Sequence, residues 1–435
     1  MSALGPEEVF QRAVMVNDGS GVLVTALSAE HSYVLTARHN LLKERTNVAS
    51  LMEPNETVVK LRDGTEIEVR QLIVSPMLDI AVIVVVSQTL DPTATSTSVE
   101  MEQSMWLVGF PEIRRNSNEP LRLFPGQIES FDAMSIDVST KSFATVDEVR
   151  GVSGGGVYIK VANRWILVAV EYEMEGRPQE GHNWLRCIGI PAFDNLIRDH
   201  GFPPILPPFL LSFAGLANAV FPLPGFECPA TLQRLRTALL SVIRTNLATD
   251  SPTPNGILNT FGKRLLVQED PECSLLDRKL WISWLEYLTL SVLLDRPQIV
   301  DADYIEKLRS RRRFLYSGSE GEWTAFVERI IQSDLGGLAD DGLVLVSNRI
   351  EGSPAKTRSI KDLSRVVPDI GLPLSGAFDI GIPRKPIGKV KLFHLDGLHM
   401  DCIVRQEELY DNKLGLDEHT VLQLLAEAYR AAIAQ

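Results

Sequence analysis

The sequence predicts a multidomain chain, an all-β region of antiparallel barrel or sandwich type followed by a mainly helical α+β region. Three observations carry that prediction. Short β-branched runs bounded by Gly, Asn, Asp and Pro recur from about Val14 to Val170, the pattern of regularly spaced antiparallel strands. Prolines then crowd "FPPILPPF" and "FPLPGFECP", and a residue without an N–H cannot sustain a ladder. Past them, Leu232, Leu235, Leu239, Val242 and Ile243 recur at helical spacing in "ATLQRLRTALLSVIRTNL". A chain of 435 residues is long enough for two or three domains, each with its own core.

In chain order, the strand-like runs are "GVLVTAL", "SYVLTA", "TVVKLRD", "EIEVRQLIV", "IAVIVVV", "MWLVGF", "SIDVST", "GGVYIK" and "WILVAVEY". A helix, "AFDNLIRDHG" (Ala192 to Gly201), closes this region with a glycine stop. The boundaries are then residues 1–201 for the β domain, 202–229 for a proline-rich linker and 230–435 for the helical domain. Further helices are expected around Ser274 to Leu294, Ala302 to Tyr316 and Glu322 to Ser333. Residues Gly342 to Ile403 mix strand-like runs, "LVLVSN", "KVKLFHL" and "DCIVR", with loops. There "DIGLP" at Asp369 and "DIGIP" at Asp379 are either two matching turns or chance. In the last helix, "DEHTVLQLLAEAYRAAIA", Asp417 is an N-cap and Val421, Leu424, Leu425 and Ala428 form an apolar face.

Composition narrows the function. A net charge of -13 argues against general nucleic-acid binding, which needs a basic face, and favours protein or peptide partners. Cys187, Cys228, Cys273 and Cys402 are far apart and form no C-x-x-C pair, so neither a disulfide framework nor a zinc ribbon is expected, and a reducing, cytoplasmic setting is. The N-terminal stretch carries Glu7 and Glu8 where an export signal carries positive charge. "LWISWLEYLTLSVLL" (Leu280 to Leu294) is short for a membrane span and contains Glu286, so a buried helix is expected there, and no membrane association.

The stretch "DEVRGVSGGGVYIK" (Asp147 to Lys160) sets Ser153 among glycines before a strand, where a serine is either a turn residue or a nucleophile. A serine hydroxyl attacks a peptide carbonyl only with an imidazole base, a carboxylate to orient that base, and amides to hold the oxyanion. Upstream, His39 follows a strand in "SYVLTARHNL", and Asp79 stands at the start of an apolar strand in "SPMLDIAVIVV".

Between about Val14 and Gly201 these residues resemble the trypsin-like serine proteases, in particular the disulfide-free bacterial branch that includes the HtrA-type enzymes. The resemblance rests on Gly19-Ser20-Gly21, Thr36-Ala37-Arg38-His39, Asp79-Ile80-Ala81-Val82 and Gly151-Val152-Ser153-Gly154-Gly155. Val108-Gly109-Phe110-Pro111, Gly126-Gln127-Ile128-Glu129-Ser130 and Gly189-Ile190-Pro191 support it. It implies a chymotrypsin-like double six-stranded barrel, with Ser153 as nucleophile, His39 as general base and acid, Asp79 as the residue that orients His39, and the amides of Gly151 and Ser153 as oxyanion hole. Val152 stands where secreted relatives carry an aspartate that pairs with a cut N-terminus, so that mode of activation is not expected. Arg38 and Gly156 also depart from the pattern without removing a catalytic atom. Asp147 matches the position at the base of trypsin's specificity pocket, with a solvated loop acid as the alternative. Val170, Glu171 and Tyr172 are candidates to pair with an extended substrate backbone. A G-x-S-x-G also fits the nucleophile elbow of an α/β-hydrolase, but these strands do not alternate with helices.

Outside that region, His394, Asp396, His399, Asp401 and Cys402 are possible metal ligands without a standard spacing, and strand packing is the simpler reading. Arg309, Arg311, Arg312 and Arg313 could touch phosphates, but acids crowd the same region and a solvated face is expected; Trp281, Trp284 and Trp323 are expected in a core. "WISWLEYL", "RRRFLYS", "EWTAFVERIIQSDLGGL" and "HLDGLHMDCIVRQEEL" resemble the C-terminal domains of bacterial three-component, ABC-ATPase-linked conflict systems. That resemblance implies docking onto a regulatory partner. The expectation is a cytoplasmic serine endopeptidase without cofactor or metal, acting on protein substrates under the control of a C-terminal domain and its partner. The alternative is a protease-fold adaptor that binds a peptide without cutting it.

Overall fold

In the computed structural model of the chain, the residues described are 7–28, 30–44, 50–89, 94–96, 98–140, 150–161, 164–174, 184–247, 252–349, 359–360, 390–411 and 417–434. They divide into two compact units, Met1–Pro208 and Phe209–Gln435. The proline-rich stretch is shared between them: Ile205 bridges Ala26 in the first unit, and Phe221 bonds to Glu286 in the second.

The first unit holds two β structures. Strands β1 (Ala13–Val16), β2 (Gly19–Thr25), β3 (His31–Thr36), β4 (Val59–Lys60), β5 (Glu66–Ile67), β6 (Val69–Val74) and β7 (Ala81–Val86) form one sheet in the order β5-β4-β1-β2-β3-β7-β6. Its edge strands β5 and β6 are separated in the chain by Glu68 alone, so the sheet curls to bring its two edges together as one bent strand. Strands β8 (Ser104–Gly109), β9 (Arg122–Phe131), β10 (Ser135–Thr140), β11 (Gly156–Val161), β12 (Arg164–Met174) and β13 (Trp184–Gly189) close a barrel in the order β10-β13-β12-β11-β8-β9. A curled half-barrel sheet followed by a closed six-stranded barrel is consistent with the double barrel expected.

Burial explains the near-continuous apolar runs. In β7, Ala81, Ile83 and Val85 face a core inside the curled sheet, with Val14, Leu23 and Val34. Val82 and Val84 face a second core shared with the closed barrel, with Tyr33, Tyr158, Leu167 and Phe193. A strand buried on both faces has no polar alternation to show. A third core, containing Leu107, Phe124, Ile128, Val157 and Cys187, fills the closed barrel. The helix Ile190–Asp199 lays Phe193 and Ile197 on the shared core and ends before Gly201, whose φ of 75° suits a glycine stop.

The second unit is mixed. Strands β14 (Arg312–Ser317), β15 (Leu343–Asn348) and β17 (Lys391–His394) are parallel, with β16 (Ser359–Ile360) antiparallel at the edge. The helix Arg278–Asp295 is buried on all sides from Leu280 to Leu293 and packs Trp284 and Tyr287 on Phe314. Trp281, Trp284 and Trp323 are core residues, as expected. Asp417 caps the last helix, its Oδ1 accepting the Thr420 N–H at 2.7 Å.

Three expectations for this unit are corrected. Residues 312–317 form β14 rather than the end of a helix, because Arg312 to Ser317 pair with Leu343 to Asn348. "HLDGLHMDC" runs from a strand end into the helix Leu395–Cys402, so "DCIVR" is not a strand. The arginine run is no solvated face: Arg309 and Arg313 are 6% and 3% exposed and pair with Asp334, while Arg312 forks onto both oxygens of Asp295. No helix among the described residues is long and apolar enough to cross a membrane.

Candidate active site

The pairing of β3 with β7 sets Thr36 opposite Ala81, so the chain leaving β3 and the chain entering β7 meet at one end of the sheet. His39 lies on the short 3-10 turn Arg38–Leu41 after β3, and Asp79 just before β7. Both Asp79 oxygens are engaged: Oδ1 accepts the backbone N–H of His39 at 3.0 Å, and Oδ2 lies 2.7 Å from His39 Nδ1. Burial pushes the Asp79 carboxyl up, but the bonds from His39 and the Arg38 charge outweigh it and hold the group below the ordinary aspartate range. The clamp fixes the imidazole so that its Nδ1 carries the proton and Nε2 is left as acceptor.

Ser153 stands on the turn that leads into β11, and the turn is pinned to the first sheet. Its carbonyl accepts from Ser20 N at 2.8 Å and from Asn40 Nδ2 at 2.7 Å. Asn40 adjoins His39 in the chain, so one side chain ties the histidine's turn to the serine's. Ser20 Oγ donates to the Gly151 carbonyl at 2.7 Å and accepts from Phe110 N at 2.8 Å. Two glycines are required by shape. Gly151 has φ 89°, and a Cβ there would lie 2.7 Å from Phe110 O; Gly154 has φ 92°, and a Cβ there would lie 1.9 Å from Ser20 O. Among the described residues the amides of Gly151 and Ser153 make no hydrogen bond, and an oxyanion needs two such donors.

One contact is missing from a complete relay. No hydrogen bond joins Ser153 Oγ to His39 Nε2 among the described residues; the serine hydroxyl instead neighbours the carboxyl of Glu171. Glu171 is also not free to pair with a substrate backbone, because its N–H donates to Gly155 O and its C=O accepts from Gly154 N. Val170 is paired on both sides, with Gly156 and with Ile188. Tyr172 falls where the register of β12 with β13 slips, between Glu171 and Glu173. Asp147 lies outside the described residues.

Sequence reasoning did not assign Ser20, Asn40 or the Glu171 side chain. The signal for Glu171 was an acid in the apolar run Trp165 to Tyr172; Ser20 lay in the Gly19-Ser20-Gly21 motif without a role, and nothing local marked Asn40. In the second unit no group of His, Cys, Asp and Glu able to hold a metal is assembled among the described residues. His399 Nδ1 instead meets Tyr429 Oη at 2.7 Å, and His394 Nε2 meets Asn348 Oδ1 at 3.2 Å.

A search of curated proteins returns no match. Residues 187–404, half of the chain, match the family described as C-terminal domain 4 of the ABC-three component (ABC-3C) systems. The match covers the buried Trp281–Trp284 helix and the parallel strands, together with the last residues of the closed barrel. The chain therefore belongs to the C-terminal domain 4 family of the ABC-three component systems.

Proposed function

We propose that the first unit is a serine endopeptidase and the second its docking module, so that the chain is the effector of a three-component system. Membership of such a system implies partner components. The observation that carries the enzymatic reading is the two-point clamp of Asp79 on His39, with Asn40 anchoring the Ser153 turn to the residue next to that histidine. An imidazole held with Nδ1 as donor and Nε2 as acceptor is the arrangement a general base requires.

In the reaction, His39 Nε2 takes the proton of Ser153 Oγ as the oxygen attacks the scissile carbonyl. The carbonyl oxygen becomes an oxyanion held by the amides of Gly151 and Ser153. The imidazolium, stabilised by Asp79, gives its proton to the leaving amine as the C–N bond breaks. Water, deprotonated by His39, then cleaves the acyl ester and returns the proton to Ser153. The Ser153 rotation that brings Oγ to Nε2 is the step a partner or substrate can control.

A non-catalytic adaptor is the second reading, favoured by the missing Ser153–His39 bond. A fluorophosphonate, which reacts with an activated serine, separates the two. Labelling of the full chain that disappears in Ser153→Ala supports the enzyme. Equal signal in the two proteins, or none with the partner components present, supports the adaptor.

A further inference from the structure

Glu171 is 1% exposed, lies opposite Cys187 of β13, and has its carboxyl beside the Ser153 hydroxyl. Its Oε2 has no hydrogen-bond partner, and no cation pairs with it among the described residues. A buried acid left this way costs stability that an apolar residue at the same strand position would not. Packing therefore gives no reason for an acid here, and the adjacent nucleophile does.

A carboxyl acts on a neighbouring hydroxyl in two ways. As a neutral acid it donates to an Oγ lone pair and leaves the serine proton free for His39 Nε2. As a carboxylate it accepts the serine proton itself and turns it away from the imidazole. The ionisable groups facing it are Asp79 from the turn before β7, Cys187 from β13 and Glu173 from its own strand, with Arg186 opposite Glu173. Burial pushes the Glu171 carboxyl up to about 8; the Ser153 contact opposes this and the charges of Asp79 and Glu173 add to it. Burial also raises the Cys187 thiol, which stays neutral beside it.

We propose that Glu171 is a positioning residue for the nucleophile, aiming the Ser153 hydroxyl at His39 when protonated and withholding it when ionised. The proposal rests on Ser153 being a nucleophile and adds a second control over it besides His39 and Asp79.

The test is the rate of Ser153 labelling by a fluorophosphonate from pH 6 to 10 in full-length wild type, Glu171→Gln and Glu171→Met, with Ser153→Ala as blank and a melting temperature for each. The wild-type rate should fall about tenfold for each pH unit above the titration. Glu171→Gln, which keeps a donor at every pH, should hold the plateau rate to pH 10. Glu171→Met, of similar length but without a donor, should be slower and show no such fall. Superimposable wild-type and Glu171→Gln profiles overturn this inference and leave the nucleophile standing. Absence of Ser153-dependent labelling at every pH, with the partner components of the system present, overturns the nucleophile, and this inference with it.

Discussion

Replacing Asp79 by Asn probes the clamp on His39 while preserving its shape. In the wild type, Oδ1 and Oδ2 both accept from His39, at 3.0 Å from its backbone N and 2.7 Å from Nδ1. An amide presents one acceptor and one NH2 donor. If its oxygen keeps the backbone N–H, its NH2 faces Nδ1, the proton moves to Nε2, and the ring cannot take a proton from Ser153. The known cost of such a tautomer error in a serine relay is roughly 10⁴-fold in rate, which is about 5 kcal/mol of barrier. The structural cost is smaller, about 1.5–3 kcal/mol for losing a charge-assisted hydrogen bond, reduced here by partial exposure. The assay is the rate of Ser153 labelling beside a urea melt, with ring-nitrogen NMR reporting the tautomer. The pH dependence has a definite sign. Because the folded-state carboxyl lies below its ordinary range, Asp79 contributes stability that is present above roughly pH 4 and lost as pH falls through the folded value. Asp79→Asn should flatten that acid limb. A variant that labels at the wild-type rate would refute the assignment of Asp79 as the group that orients His39.

Two further substitutions test the packing around and beyond the site. Gly154→Ala drives a Cβ to within 1.9 Å of Ser20 O at a φ of 92°, so a stability loss above about 2 kcal/mol in chemical denaturation is expected, and a loss under about 0.5 kcal/mol would mean the turn has another backbone. Arg313→Met removes a buried guanidinium that meets Asp334 at 3.2 Å and Gly336 O at 2.7 Å; Asp334 keeps Arg309, so the second unit should lose about 1–3 kcal/mol of stability in chemical denaturation. The near-zero effect of a surface arginine would contradict that burial.

The local grammar of this protein can be read along the chain. β-branched runs between turn residues marked the strands of the first unit, and a helix apolar on every face around Glu286 announced burial rather than a membrane. His39, Asp79 and Ser153 stand out as candidates because each lies beside a strand end in a recurrent local motif, and the family of the C-terminal region was legible in its Trp-rich and "HLDGLHMDC" segments. The arginine run was misread because adjacent charges look solvated in one dimension. Their partners, Asp295 and Asp334, are distant enough in the chain that only the fold brings them together. The same holds at the site. Ser20 and Asn40 reach Ser153 across more than a hundred residues, and Glu171 reaches it because β12 pairs beside the Ser153 turn. Periodicity records which face of an element is buried, while tertiary structure decides which polar groups are buried together, because a hydrogen bond depends on distance in space and leaves no spacing in the chain.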